Sequence, residues 1–176
     1  MDHTDAVYRW RLYNILFVTE RSLAIARHRP VLLSHALPFP PEARNGECPK
    51  LDIEFHQLVQ VYSHIDVRFI DFWNKQETMS CMLSWESPDL GLTSNCLFMF
   101  DNQKADVVVT QHWLNLTFWK AALRQGLITS QAAFRSRTFV YPEDLALSLL
   151  EVLSSLPTEA VEVHGLGIVG SKMRPL

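Results

Sequence analysis

The chain is poor in several features that would announce a function. Glycine occurs six times in 176 residues, sparse for folds built on many tight turns or phosphate-cradling loops. Cysteine occurs three times: Cys48, Cys81 and Cys96 are separated by 33 and 15 positions. They form neither a paired disulfide framework nor a close-spaced metal knuckle, and they fit a reducing interior. Positive charge is not in excess, with 16 Lys and Arg against 19 Asp and Glu and a net charge of −3. A free-standing nucleic-acid binder ordinarily shows a basic surplus that neutralises phosphates. No run of about 18 apolar residues is present to span a membrane. The acidic, polar opening Met1-Asp2-His3-Thr4-Asp5 does not read as a secretory leader. Gly-x-Ser-x-Gly, His-Glu-x-x-His and the phosphate-binding loop are also missing.

What is present is an ordinary globular composition, 48% hydrophobic and 20% charged, which argues against wholesale disorder. A chain of 20.3 kDa buries roughly 70% of its unfolded surface. Its length suits one domain, read here as residues 1–176, or a piece of a larger one.

Apolar spacing predicts helices. From Asp5 to Arg29, Val7, Trp10, Tyr13, Leu16, Phe17, Leu23 and Ala24 follow a 3.6-residue period. Leu12, Ile15, Val18 and Ile25 fill other faces, so this helix is expected to be buried on most sides. Thr4 or Asp5 is the candidate cap, Pro30 the stop, and Arg9, Arg11, Arg21, Arg27 and Arg29 the expected solvated rim. Residues 34–50, with Pro38, Pro40, Pro41, Pro49 and Asn45-Gly46, form a loop. Residues 51–75 fit both helical spacing and strand alternation. Their length without internal Gly or Pro favours one continuous helix. Residues 76–102 read as loop with a short helical piece. Residues 103–125 carry the stripe Val108, Val109, His112, Trp113, Leu116, Trp119 and Leu123, with Gly126 as terminator. Residues 142–156 start on Pro142, Glu143 and Asp144 and stop at Pro157, and a short helix follows from Thr158 to His164. The fold class is all-α, an irregular assembly of about five helices.

Chemistry-bearing patterns are weak. Gly165-Leu-Gly167-Ile-Val-Gly170 matches a dinucleotide fingerprint as a string, but only Ser171 to Leu176 follow, where a helix and an acidic residue are needed. His64-Ile65-Asp66, with His112 or His164, has the composition of a two-histidine, one-carboxylate iron site. On one helix, residues 64 and 66 would lie about 200° apart and could not chelate one ion. Asn115-Leu116-Thr117 is a glycosylation string inside a predicted helix. The five tryptophans (Trp10, Trp73, Trp85, Trp113, Trp119) read as core. No catalytic, cofactor-binding or metal residue is assigned.

Four blocks nevertheless stand in a recognisable order. They are Arg11-Leu-Tyr13-Asn-Ile-Leu-Phe17-Val-Thr-Glu20-Arg21 with Arg27-His-Arg-Pro30-Val31; Phe72-Trp-Asn-Lys75; Ala105-Asp106 with Thr110-Gln-His-Trp-Leu114; and Val161-Glu-Val-His-Gly165-Leu-Gly167. Over about residues 7–168 they resemble the middle homology, or regulatory, region of fungal zinc-cluster transcription factors. The resemblance is closest to the branch that includes regulators of maltose and quinate use and of secondary-metabolite clusters. The family's six-cysteine DNA-binding cluster is absent here. The resemblance implies part of a larger helical regulatory domain, from a truncated product or from a regulator kept without its DNA-reading half. It further implies nuclear placement, action through protein partners in transcription or self-association, a small-molecule effector as a possible ligand, and no direct nucleic-acid or membrane contact. The alternatives are a small metal-dependent oxygenase using His64 and Asp66, or a non-functional remnant.

Overall fold

The computed structural model describes residues 3–40, 43, 48–75 and 101–162. Among these residues there are six α-helices, one 3-10 turn and no strand, so the all-α expectation stands. The helices are α1 (His3–Arg27), α2 (Pro49–Ser63), α3 (Val67–Lys75), α4 (Asp101–Arg124), α5 (Tyr141–Ser154) and α6 (Thr158–Glu162); the 3-10 turn is Arg135–Arg137. The chain divides into two compact units, Met1–Glu86 and Ser87–Leu176. No described helix is long and apolar enough to cross a membrane.

In the first unit α1 packs against α2 and α3. Its buried face is Val7, Trp10, Asn14, Phe17, Arg21 and Ala24, an alternating three-four spacing that keeps one stripe inward. The expected burial on most sides is therefore corrected. Leu12, Ile15, Leu16 and Leu23 are all at least half exposed, because the packed face takes a polar pair, Asn14 and Arg21, where hydropathy favours leucine. The arginine rim is corrected too: Arg21 is buried and Arg11 is tied to Asp52. The helix ends on His28, whose φ of 51° is left-handed, and the Arg29 N–H donates to the Ala24 carbonyl at 3.1 Å. Pro30 lies just beyond this cap.

The single helix expected over residues 51–75 is two helices. Pro49 opens α2 at a first-turn position. The chain then breaks at His64-Ile65-Asp66. Asp66 starts α3 as its cap, its Oδ1 accepting the Phe69 N–H at 2.7 Å. Ile65 is fully buried at the joint, and its carbonyl accepts from Arg21 Nε at 2.9 Å. A distant side chain thus satisfies a backbone group that the break releases.

In the second unit α4 packs against α5, α6 and the 3-10 turn. Gly126, at φ 69°, ends α4, with the Leu127 N–H donating to the Ala122 carbonyl at 3.0 Å. The packed face of α4 is Val107, Val108, Gln111, Leu114, Asn115, Phe118, Ala121 and Ala122. It lies beside the predicted stripe, so Trp113 and Leu123 are exposed. Pro142 stands in the first turn of α5, as its position in the sequence suggests. Trp119 Nε1 donates to the Thr138 carbonyl at 2.9 Å, and the Thr129 N–H donates to Arg137 O at 3.0 Å, which ties the 127–140 connection to α4. Trp85, most of the 76–102 segment and the end of the fourth block lie outside the described residues.

Candidate functional site

Among the described residues the densest polar constellation is on the inner face of α1, largely within the first of the four blocks. Trp10 Nε1 donates to the Leu37 carbonyl at 3.2 Å, and Asn14 Oδ1 accepts the Leu37 N–H at 3.2 Å. Asn14 Nδ2 donates to Trp10 O at 3.0 Å. The Glu20 carboxylate accepts both the Leu32 and Leu33 N–H groups, at 2.8 and 3.0 Å. Arg21 Nη2 donates to the Leu33 and Ser34 carbonyls at 3.1 and 3.3 Å. An irregular strap with few hydrogen bonds of its own is thereby held on α1 by side chains that read its backbone.

Arg21 is the centre of this arrangement. It is 1% exposed, and its guanidinium lies over the Phe17 ring, 3.4 Å from the centroid. It joins three elements: α1, the strap and the α2–α3 joint. Nη1 is buried without a hydrogen-bond partner. Burial pushes its pKa down to about 10, partly offset by the neighbouring Glu20, so it remains charged at neutral pH. The planar guanidinium suits this role because its donors point in fixed directions.

Phe72-Trp-Asn-Lys75, the second block, meets the end of the first. Trp73 Nε1 donates to the Ile25 carbonyl at 3.0 Å and Asn74 Nδ2 to the Arg29 carbonyl at 2.9 Å. The Trp73 ring stacks on His28, with centroids 5.9 Å apart. Two blocks separated by about forty positions in the sequence therefore build one helix terminus. On the other side of α1, Arg11 forms a two-pronged pair with Asp52, at 2.6 and 2.8 Å, and Asp52 is almost wholly buried. Beside it, Trp10, Phe39, Phe55 and His56 cluster edge-on or tilted.

The third block lies on α4. His112 Nδ1 is 2.8 Å from the Val108 carbonyl and Nε2 is 3.3 Å from Ser148 Oγ on α5. Gln111 and Asn115, one turn apart, are buried with carbonyl oxygens that have no partner. Asn115 of the glycosylation string is therefore closed to modification in the folded helix.

His64 and Asp66 sit at the α2–α3 joint, so the argument from opposite faces of one helix does not apply to them. Asp66 instead spends both carboxylate oxygens on the chain, one on the Phe69 N–H and one on Arg68 Nε at 2.9 Å. Burial lowers the His64 pKa. Among the described residues no three His, Cys, Asp or Glu side chains gather as a metal set. The chemistry of the described constellation is thus structural: charged and amide groups fix backbone segments. Sequence reading missed Arg21, Asn14 and Asp52 as organisers; for Asn14 and Arg21 the signal available was their seven-residue spacing from Val7, in step with Trp10, Phe17 and Ala24.

No family model matches the chain, and no solved structure matches it. The chain is similar to the "Probable sucrose utilization protein SUC1" of Candida albicans, with 28% identity over 170 residues. The match covers 90% of this chain and 32% of the relative, so the chain spans about a third of the relative's length.

Proposed function

We propose that the chain is a helical regulatory domain that acts in transcription in a fungus, in control of sugar use, and that these residues do not themselves read DNA. The observation that carries this reading is the match to a protein named for sucrose utilization over 90% of this chain. The ordered blocks support it, because the first two converge on one polar framework. In this reading the chain is not an enzyme, works in the nucleus and acts through protein contacts. Quinate use and secondary-metabolite control are the related branches of the same reading.

The test tethers the full chain to a heterologous DNA-binding domain upstream of a reporter in yeast grown on sucrose, maltose or glucose. A several-fold change in reporter output that depends on the carbon source and is lost with Arg21→Met supports the proposal. Equal output on all sources, at equal protein level, removes it. Specific duplex binding by the untethered chain at about 0.15 M salt would contradict the claim that it reads no DNA.

A further inference from the structure

The outward face of α1 is apolar along its length. Tyr8, Leu12, Ile15, Leu16 and Leu23 are between 50% and 61% exposed. With Thr19 they fall within roughly 100° of the helix surface, opposite the packed face. A helix that is apolar on both faces needs a second partner.

The order of these residues indicates which partner. Two α1 helices laid antiparallel about a two-fold axis between Ile15 and Leu16 set Tyr8 against Leu23 of the second copy. The same register sets Leu12 against Thr19 and Ile15 against Leu16, so large side chains meet large or small ones without a gap. The charges agree with this direction. The first turn of α1 carries Asp5 and the last turn Arg27. Antiparallel pairing brings Asp5 beside Arg27 of the second copy and opposes the helix dipoles. Parallel pairing would set Asp5 against Asp5 and Arg27 against Arg27. Asp5 already holds Arg9 at 2.7 Å, so the pairing extends an existing exposed ion pair into a network.

We infer that the α1 outer face is a self-association surface, occupied by a second copy of this chain in antiparallel register. The inference stands apart from the regulatory reading. Sedimentation equilibrium of the full chain in the micromolar range is expected to give twice the 20.3 kDa monomer mass, falling on dilution. Ile15→Asp, at the two-fold, places two carboxylates together and is expected to weaken association about 100-fold or more. Circular dichroism checks that its helix content is kept, and Leu12→Gln supplies a milder version of the same test. Asp5→Lys and Arg27→Asp are each expected to weaken the dimer several-fold, and the double swap to restore it. A monomer at every concentration, a polydisperse mixture, indifference to both apolar variants, or a double swap no better than the singles would overturn the inference.

Discussion

The two long helices α1 and α4 both bury polar side chains on their packed faces, and they differ in what those side chains find there. On α1, Asn14 donates and accepts with named backbone groups, and Arg21 reaches three carbonyls, though its Nη1 has no partner. On α4, Gln111 and Asn115 are just as buried, yet their carbonyl oxygens meet no donor. A satisfied buried group fixes geometry, whereas an unsatisfied one only costs free energy. The first unit is therefore specified by polar anchors that hold particular backbone atoms. Among the described residues of the second, α4 is packed mainly by apolar side chains, helped by the Trp119 and His112 contacts. The two helices should respond with opposite signs when their buried polar groups are removed.

The largest effect is expected at Arg21. Arg21→Met keeps the volume and the Phe17 contact but orphans the Ile65, Leu33 and Ser34 carbonyls. The expected loss is about 3–5 kcal/mol, in the range seen when a buried charged partner is deleted. Hydrogen exchange should accelerate first in the 31–37 strap and in α3, with α4 unchanged. Uniform acceleration of both units would show that Arg21 does not act locally. Next comes Asp52→Asn, which keeps the shape and removes the charge facing Arg11. Because Arg11 is a quarter exposed, a loss of about 1–2 kcal/mol is expected, between surface and buried ion pairs. Urea denaturation would measure it.

Gln111→Met is predicted to go the other way. It removes an unpartnered carbonyl from the α4 core, so stability should hold or rise by up to about 1 kcal/mol. A clear loss in the urea midpoint would mean that the amide has a donor.

Acid should also distinguish the units. Burial lowers the pKa of His56 and His64 from 6.5, and both lie in the first unit. The unfolded chain then binds protons that the folded one resists. This stability is fully present above about pH 6.5 and is lost as pH falls from there through the lowered folded values. The first unit should therefore loosen before the second between neutral and mildly acid pH. His56→Phe, which keeps a ring among Trp10 and Phe39, should flatten that slope. An unchanged slope would assign the acid response to other groups.

Legibility in the sequence followed the same division. Helix ends set by local chemistry can be read directly, as with Gly126 in the left-handed region and Pro142 in a first turn. The break at residues 64–66 cannot, because no glycine or proline marks it. It is made by the Asp66 cap together with a guanidinium 44 positions away. The packed faces of α1 and α4 are misjudged for a related reason. Hydropathy assigns Leu16, Leu23 and Trp113 inward and Asn14, Arg21 and Gln111 outward, and the structure does the reverse. Only the tertiary partners of Asn14 and Arg21 make their burial favourable. Two of the resemblance blocks meet in the first unit, where Trp73 stacks on His28 and Asn74 donates to the Arg29 carbonyl.

The smallest effect is expected where the geometry looks strongest. Arg135 and Asp144 form a two-pronged pair at 2.7 Å for both contacts, as close as Arg11 and Asp52. The shared hydrogen bond raises the pKa of Arg135 and lowers that of Asp144. Its side chain, however, is 70% exposed, so water screens the charges and competes for both partners. Asp144 also lies in the first turn of α5, where the helix dipole favours a carboxylate with or without the arginine. Arg135→Ala should therefore leave the urea midpoint of the second unit unmoved, at low salt and high salt alike. A salt-dependent loss as large as that of Asp52→Asn would show that burial does not separate the two pairs, and the contrast drawn between the units would then rest on the buried amides and Arg21 alone.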